Sequence, residues 1–165
     1  MYLLQFQCLI LACGNPLRGD DGLGPWLADW AERRFAGDPN VQVLSSQQWT
    51  PELAEDIARA HFVVFLDSSV ASLPGTITLT PVQPANSARG LATHHLGAPE
   101  LLALASKLYN SLPETAQLLT IGVTTTELGE ALSPVVTAAF PQACRLIEET
   151  VLRLLNGTPS SNIQT

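Results

Sequence analysis

"CLILACGNPLRGDDGLGPWLADW", residues 8–30, runs from an apolar stretch through a glycine-rich acidic turn into a segment with apolar residues at helical spacing. The stretch belongs to a longer one, residues 3–12, which is almost continuously apolar and short for a helix. It suits a strand buried on both faces of a parallel sheet. Beyond the turn, Leu23, Trp26, Leu27, Trp30 and Phe35 approximate one face of a helix over residues 22–35, with Asp29, Glu32 and Arg33 facing away. Asp20 or Asp21 would cap that helix. A strand, a tight turn and a helix in succession form the opening unit of an α/β fold.

Further along, the same alternation continues. "VQVL" (41–44) reads as a short strand and "TPELAEDIARA" (50–60) as a helix capped by Thr50, with Pro51 at its first position. "HFVVFLDSS" (61–69) is a buried strand whose end carries Asp67. "LPGTITLTPV" (73–82) opens on a Pro-Gly turn and alternates apolar with polar residues, so it fits an edge strand that could run antiparallel to its neighbours. The polar stretch 83–95 delivers His94 and His95 just ahead of a helix over 99–112. "QLLTIGV" (117–123) is another buried strand, followed by a loop over 124–134. A closing helix over 134–156 is expected to kink or restart at Pro141. The expected architecture is a single three-layer α/β domain over residues 1–156: a mainly parallel, twisted sheet of about five strands with helices on both faces. Residues 157–165 are expected to form a disordered tail.

A chain of 165 residues is long enough for one well-buried core. An apolar content of 46% against 14% charged residues argues against disorder. Fifteen acidic and eight basic residues leave a net charge of −7, which argues against nucleic acid and anionic membranes as partners. The amino-terminal apolar run has no basic residue before Arg18 and is too short to span a bilayer, so a cytoplasmic location is expected, with no membrane insertion. Cys8, Cys13 and Cys144 are odd in number and form no C-x-x-C pair; they read as buried apolar residues.

In parallel α/β sheets, ligands bind outside the carboxyl ends of the strands. That rule gathers Asp20 and Asp21 after the first strand, Asp67 at the end of a later one, and the His94–His95 doublet in a loop that could return to the same edge. The turn fits neither phosphate-binding pattern. G-x-G-x-x-G is absent, and the Gly14 to Gly19 spacing of a P-loop is followed by Asp-Asp where lysine should stand. Two carboxylates and an imidazole suit instead a borderline divalent transition metal with open coordination positions. The plainer alternative is that Asp20 caps a helix, Asp67 hydrogen-bonds its own turn and the histidines are surface residues.

Four stretches carry a family resemblance. "GNPLRGDDGLG" resembles the amino-terminal signature of the hydrogenase maturation proteases, endopeptidases that trim the carboxyl terminus of the large subunit of nickel-iron hydrogenases. "FLDSSVASLPGTITL", "THHLGAPELLALASKLY" and "LLTIGVTTTELGEALSP" are similar to the family's later segments, and all four occur in family order. The resemblance implies that Asp21, Asp67 and His94 are both the catalytic residues and the metal contacts, with His95 as the alternative to His94 and Asp20 as a cap or support. It further implies a nickel-loaded large-subunit precursor as partner. The nickel would come with that substrate, and no organic cofactor is implied. Residues 82–93 and 124–130 would line the peptide groove, where Glu127 and Glu130 could meet a basic residue at the cut site.

Bond cleavage could use a metal-positioned water or an aspartate general base. No G-x-S-x-G elbow supports Ser68 or Ser69 as nucleophile, and nothing basic in sequence activates Cys13. Two other readings stand beside the endopeptidase: a non-catalytic, metal-sensing or chaperone-like module docking on the large subunit, and a small-molecule hydrolase on a similar fold.

Overall fold

The computed structural model describes residues 5–86, 96–129 and 131–157. Five strands form one sheet: β1 (Phe6–Cys13), β2 (Val41–Ser46), β3 (Ala60–Ser69), β4 (Ile77–Pro81) and β5 (Thr115–Gly122). Their spatial order is β2-β1-β3-β5-β4. The pairs β1–β2, β1–β3 and β3–β5 are parallel, and β4 runs antiparallel to β5 at one edge. The expected α/β class, the mainly parallel sheet and the antiparallel edge strand are all present.

Alternation along β1 divides the core in two. Cys8, Ile10 and Ala12 pack on one face with Leu23, Leu27 and Ala31 of α1 (Leu23–Arg34) and Val136, Ile147 and Val151 of α4 (Pro134–Asn156). Leu9 and Leu11 pack on the other with Ala54 and Ile57 of α2 (Leu53–Ala58) and Leu101, Leu102 and Ala105 of α3 (Ala98–Tyr109). Leu9, Ile10 and Leu11 are all fully buried, as a strand sandwiched between helical layers requires.

Four details depart from the sequence expectations. The helix after residue 50 begins later, because Leu53, Ala54 and Glu55 donate to Thr50, Pro51 and Glu52, an i→i+3 pattern that makes residues 50–52 a turn. The third helix ends at Tyr109, short of 112, because Asn110 adopts a left-handed conformation (φ 50°) while its N–H closes on Ser106 O. The last helix runs through Pro141 without restarting. Proline gives up one N–H there, but Val136, Cys144, Ile147 and Val151 hold both halves against the sheet. Finally, Trp26 is half exposed, since Leu23, Leu27, Ala28 and Ala31 already fill the buried face of α1.

The chain passes from β1 outward to β2, then crosses back over β1 to β3. The strand order therefore reverses between β1 and β3, and a crevice is expected outside their carboxyl ends. Cys13 ends one of those strands and Ser69 the other.

Candidate functional site at the carboxyl edge of the sheet

The acidic turn folds as tightly as its glycines allow. Gly14 has φ 147°, and a Cβ there would stand 2.0 Å from the backbone oxygen of Asp21. Only glycine fits that conformation and that approach. Asn15 Oδ1 accepts the N–H of Leu17 at 3.0 Å, and the Arg18 N–H closes on Asn15 O at 3.0 Å, the local bonding that favours asparagine at turn starts. A short 3-10 helix over Gly19–Gly22 then feeds α1.

The two adjacent aspartates do different things. Asp20 is fully buried. Its Oδ2 accepts from the Thr124 N–H (2.9 Å), Thr124 Oγ1 (3.0 Å), the Thr125 N–H (3.3 Å) and Ser133 Oγ (2.8 Å), and its Oδ1 from the Ser133 N–H (2.6 Å). Burial acts to raise its pKa, but the hydrogen bonds from Ser133, Thr124 and Thr125 outweigh it and hold the carboxyl below its usual value. Asp20 therefore does not cap α1, whose N-cap is Gly22 without any side-chain bond; it supports the turn from beneath. Asp21 is partly exposed, and its Oδ2 accepts the Asn15 N–H at 2.9 Å.

Asp67 lies near the end of β3, paired with Thr120 of β5. Its Oδ1 accepts the N–H of Ser68 at 2.8 Å. Its pKa is raised from 3.8 to about 6, chiefly by burial, against that bond and with the negative charge of Asp21 adding to the rise. The charges of Asp67 and Asp21 also act on Cys13, which burial chiefly pushes up to about 12. Asp21, Asp67 and Cys13 thus share one electrostatic neighbourhood at the point where the strand order reverses. A thiol so raised stays protonated at neutral pH.

His94, His95 and Glu130 lie outside the described residues. Glu127 is exposed. His61 pairs with Glu114 (2.6 Å) near the start of β3, at the opposite end of that strand from Asp67. Among the described residues no group of three or more His, Cys, Asp or Glu side chains is placed to hold a metal ion. A groove of about 470 Å³ opens on the α1/α4 face, lined by Pro16, Gly19, Trp26, Leu132, Phe140 and Pro141. Its lining carries no titratable side chain, although Pro16 and Gly19 belong to the acidic turn.

The partnership of Asp20 with Thr124, Thr125 and Ser133 was not foreseen from sequence. A hydroxyl-rich loop after a buried strand was the available signal, but nothing in the spacing linked it to residue 20. No helix among the described residues is long and apolar enough to cross a membrane.

No protein-family model matches the chain. No curated protein matches it either. Solved structures do. The hydrogenase maturating endopeptidase HybD from E. coli superposes with a TM-score of 0.74 at 21% identity, over 90% of this chain and 93% of that one. The NiFe hydrogenase maturation protease HycI from Thermococcus kodakarensis gives 0.66 at 22% identity, over 88% and 92%. The hydrogenase 2 maturation peptidase from a Thaumarchaeota archaeon gives 0.62 at 26% identity, over 88% and 97%. At such identities the likeness is one of fold. The structural neighbours of this chain, across most of its length, are hydrogenase maturation proteases.

Proposed function

We propose that the chain is an endopeptidase that removes a carboxyl-terminal peptide from the nickel-loaded large-subunit precursor of a nickel-iron hydrogenase. The observation that carries this reading is the meeting of Asp21 and Asp67 at the switch point of the sheet, close enough for the charge of one to raise the pKa of the other. Two such carboxylates repel each other until a cation is shared between them, and a cation already bound to a substrate would relieve that repulsion only in the loaded complex. The structural likeness to hydrogenase maturation proteases supports the same substrate class.

In this reading the nickel belongs to the substrate. Asp21 and Asp67 complete its coordination from the protein side, with His94 or His95 as the nitrogen ligand. That engagement orients the precursor so that the scissile bond lies beside the acids. A water attacks the carbonyl carbon, a carboxylate takes its proton, and the proton passes to the departing amine as the carbon–nitrogen bond breaks. Asp67, with a pKa of about 6, is ionised at neutral pH yet basic enough for that transfer. A precursor without nickel is not held and is not cut.

The test is the intact mass of the large-subunit precursor, with and without nickel, before and after incubation. A single loss equal to a carboxyl-terminal peptide is expected only with nickel and only with the native protein, and Asp21→Asn should abolish it while the variant stays folded. Retention of the full mass with verified nickel would favour a docking module that does not cut. Turnover of a small ester or amide with no precursor present would favour a small-molecule hydrolase.

A further inference from the structure

Resting on the endopeptidase reading, we propose that Asp20 is a positioning residue: it fastens the loop between β5 and α4 to the acidic turn, and so holds the rim that seats the substrate peptide beside Asp21. Its carboxylate is fully buried and touches none of the groups assigned to chemistry. Every side-chain bond it makes goes to residues 124, 125 and 133, more than a hundred positions away.

Three further bonds tie the same two segments together. The Asp20 N–H donates to Thr125 O at 2.8 Å, Arg18 Nε to Thr126 O at 3.2 Å, and the Gly129 N–H to Leu17 O at 2.8 Å. The two segments therefore move as one piece, with Asp20 at the root and Leu17 and Leu128 at the tips. Those leucines are 64% and 74% exposed. Apolar side chains held out on a fixed support are suited to gripping an extended peptide, and the support also carries Asp21.

A carboxylate is the group that can do this. It presents two oxygens and several lone pairs to donors converging from one loop, which a neutral amide cannot match, because in either orientation its NH2 end would face a peptide N–H. Inside the protein, the bonds from Ser133 (2.6 and 2.8 Å) and the Thr124 N–H (2.9 Å) are short and charge-assisted, and they fix both ends of the loop on one carboxylate. Asp21, one residue later, is thereby oriented by a neighbour that has no part in the reaction.

The experiment uses the double variant Thr124→Val and Ser133→Ala in the full chain, which removes two hydroxyl donors to Asp20 and leaves every peptide N–H in place. Hydrogen exchange should quicken about tenfold in residues 123–133, with amides of β1, β3 and β5 unchanged. With nickel-loaded precursor, KM should rise about tenfold with little change in kcat, the mark of weakened seating. Ser133→Thr, which keeps the hydroxyl, should restore both readouts when paired with native Thr124. Unchanged exchange in the loop would overturn the proposal, as would a loosened loop with KM unaltered. If native protein leaves verified precursor uncut, the endopeptidase reading fails, and the exchange arm still decides whether Asp20 holds the loop.

Discussion

Asp67 holds its place against its own electrostatics. Its folded pKa of about 6 stands above the ordinary 3.8, raised first by burial. A group raised on folding contributes stability that is fully present below its unfolded pKa and is lost as pH climbs through the folded value. The native protein is therefore less stable above pH 6, on account of Asp67, than a neutral side chain would leave it. Asp67→Asn, whose carbonyl can still accept the Ser68 N–H, should raise unfolding stability at pH 7 by ~1–3 kcal/mol. The gain should fade as pH is lowered and vanish below about pH 4, and precursor cleavage should be lost at every pH. Urea melts at several pH values check this; a lower midpoint at pH 7 would contradict it. The same scale shows what sequence could not convey. "DD" at 20 and 21 presents two identical side chains, and the donors arriving from residues 124–133 set Asp20 apart as a buried anchor while Asp21 stays partly exposed.

Between elements, α1 approaches the end of β1 closely at Gly24. A Cβ on Gly24 would stand 2.2 Å from Cys13 O and 3.0 Å from its carbonyl carbon. Helix propensity alone favours alanine at such a position by ~1 kcal/mol, so the sign of the change identifies the stronger effect. Gly24→Ala should destabilise by about 2–3 kcal/mol, because the obstructing atoms are backbone and the helix must lift from the strand. Thermal unfolding of the variant measures it, and a stabilised variant would mean that α1 has room to spare. The strands were legible because uninterrupted apolar runs suit a doubly covered sheet, and the edge strand because its Pro-Gly turn and alternation suit one covered face. Helix ends were less legible. Asn110 stops α3 through a backbone conformation that asparagine tolerates, and Pro141 fails to stop α4 because packing on both sides outweighs one missing bond. Trp26 was misjudged for a related reason: spacing shows which residues share a face of a helix, not how wide a stripe the sheet can cover.

Across the molecule, the sheet order and the covered faces bring Asp21 and Asp67 to one edge, and the reading of nickel as part of the substrate leaves the protein without a resident ion to support its fold. Dialysis against EDTA should therefore leave Tm within about 1 °C of the untreated value, since nothing is withdrawn that binds the native state selectively. A marked fall in Tm, reversed by a divalent metal, would show a structural ion instead. The bonds from Asp20 to Ser133 also set an order in time. Residues 20 and 133 are separated by 113 positions, and a ribosome adding about 5–20 residues per second needs several seconds to cross that interval. Until it does, the aspartate pair has emerged with no loop to fasten, and β5, which pairs with both β3 and β4, is itself absent or incomplete for most of that wait. A polypeptide terminated between Asp67 and Ser133 would carry both turn acids and Asp67 in its sequence and still leave Asp20 without the Ser133 N–H and hydroxyl that hold it, so that the fastening of the acidic turn waits on synthesis past residue 133.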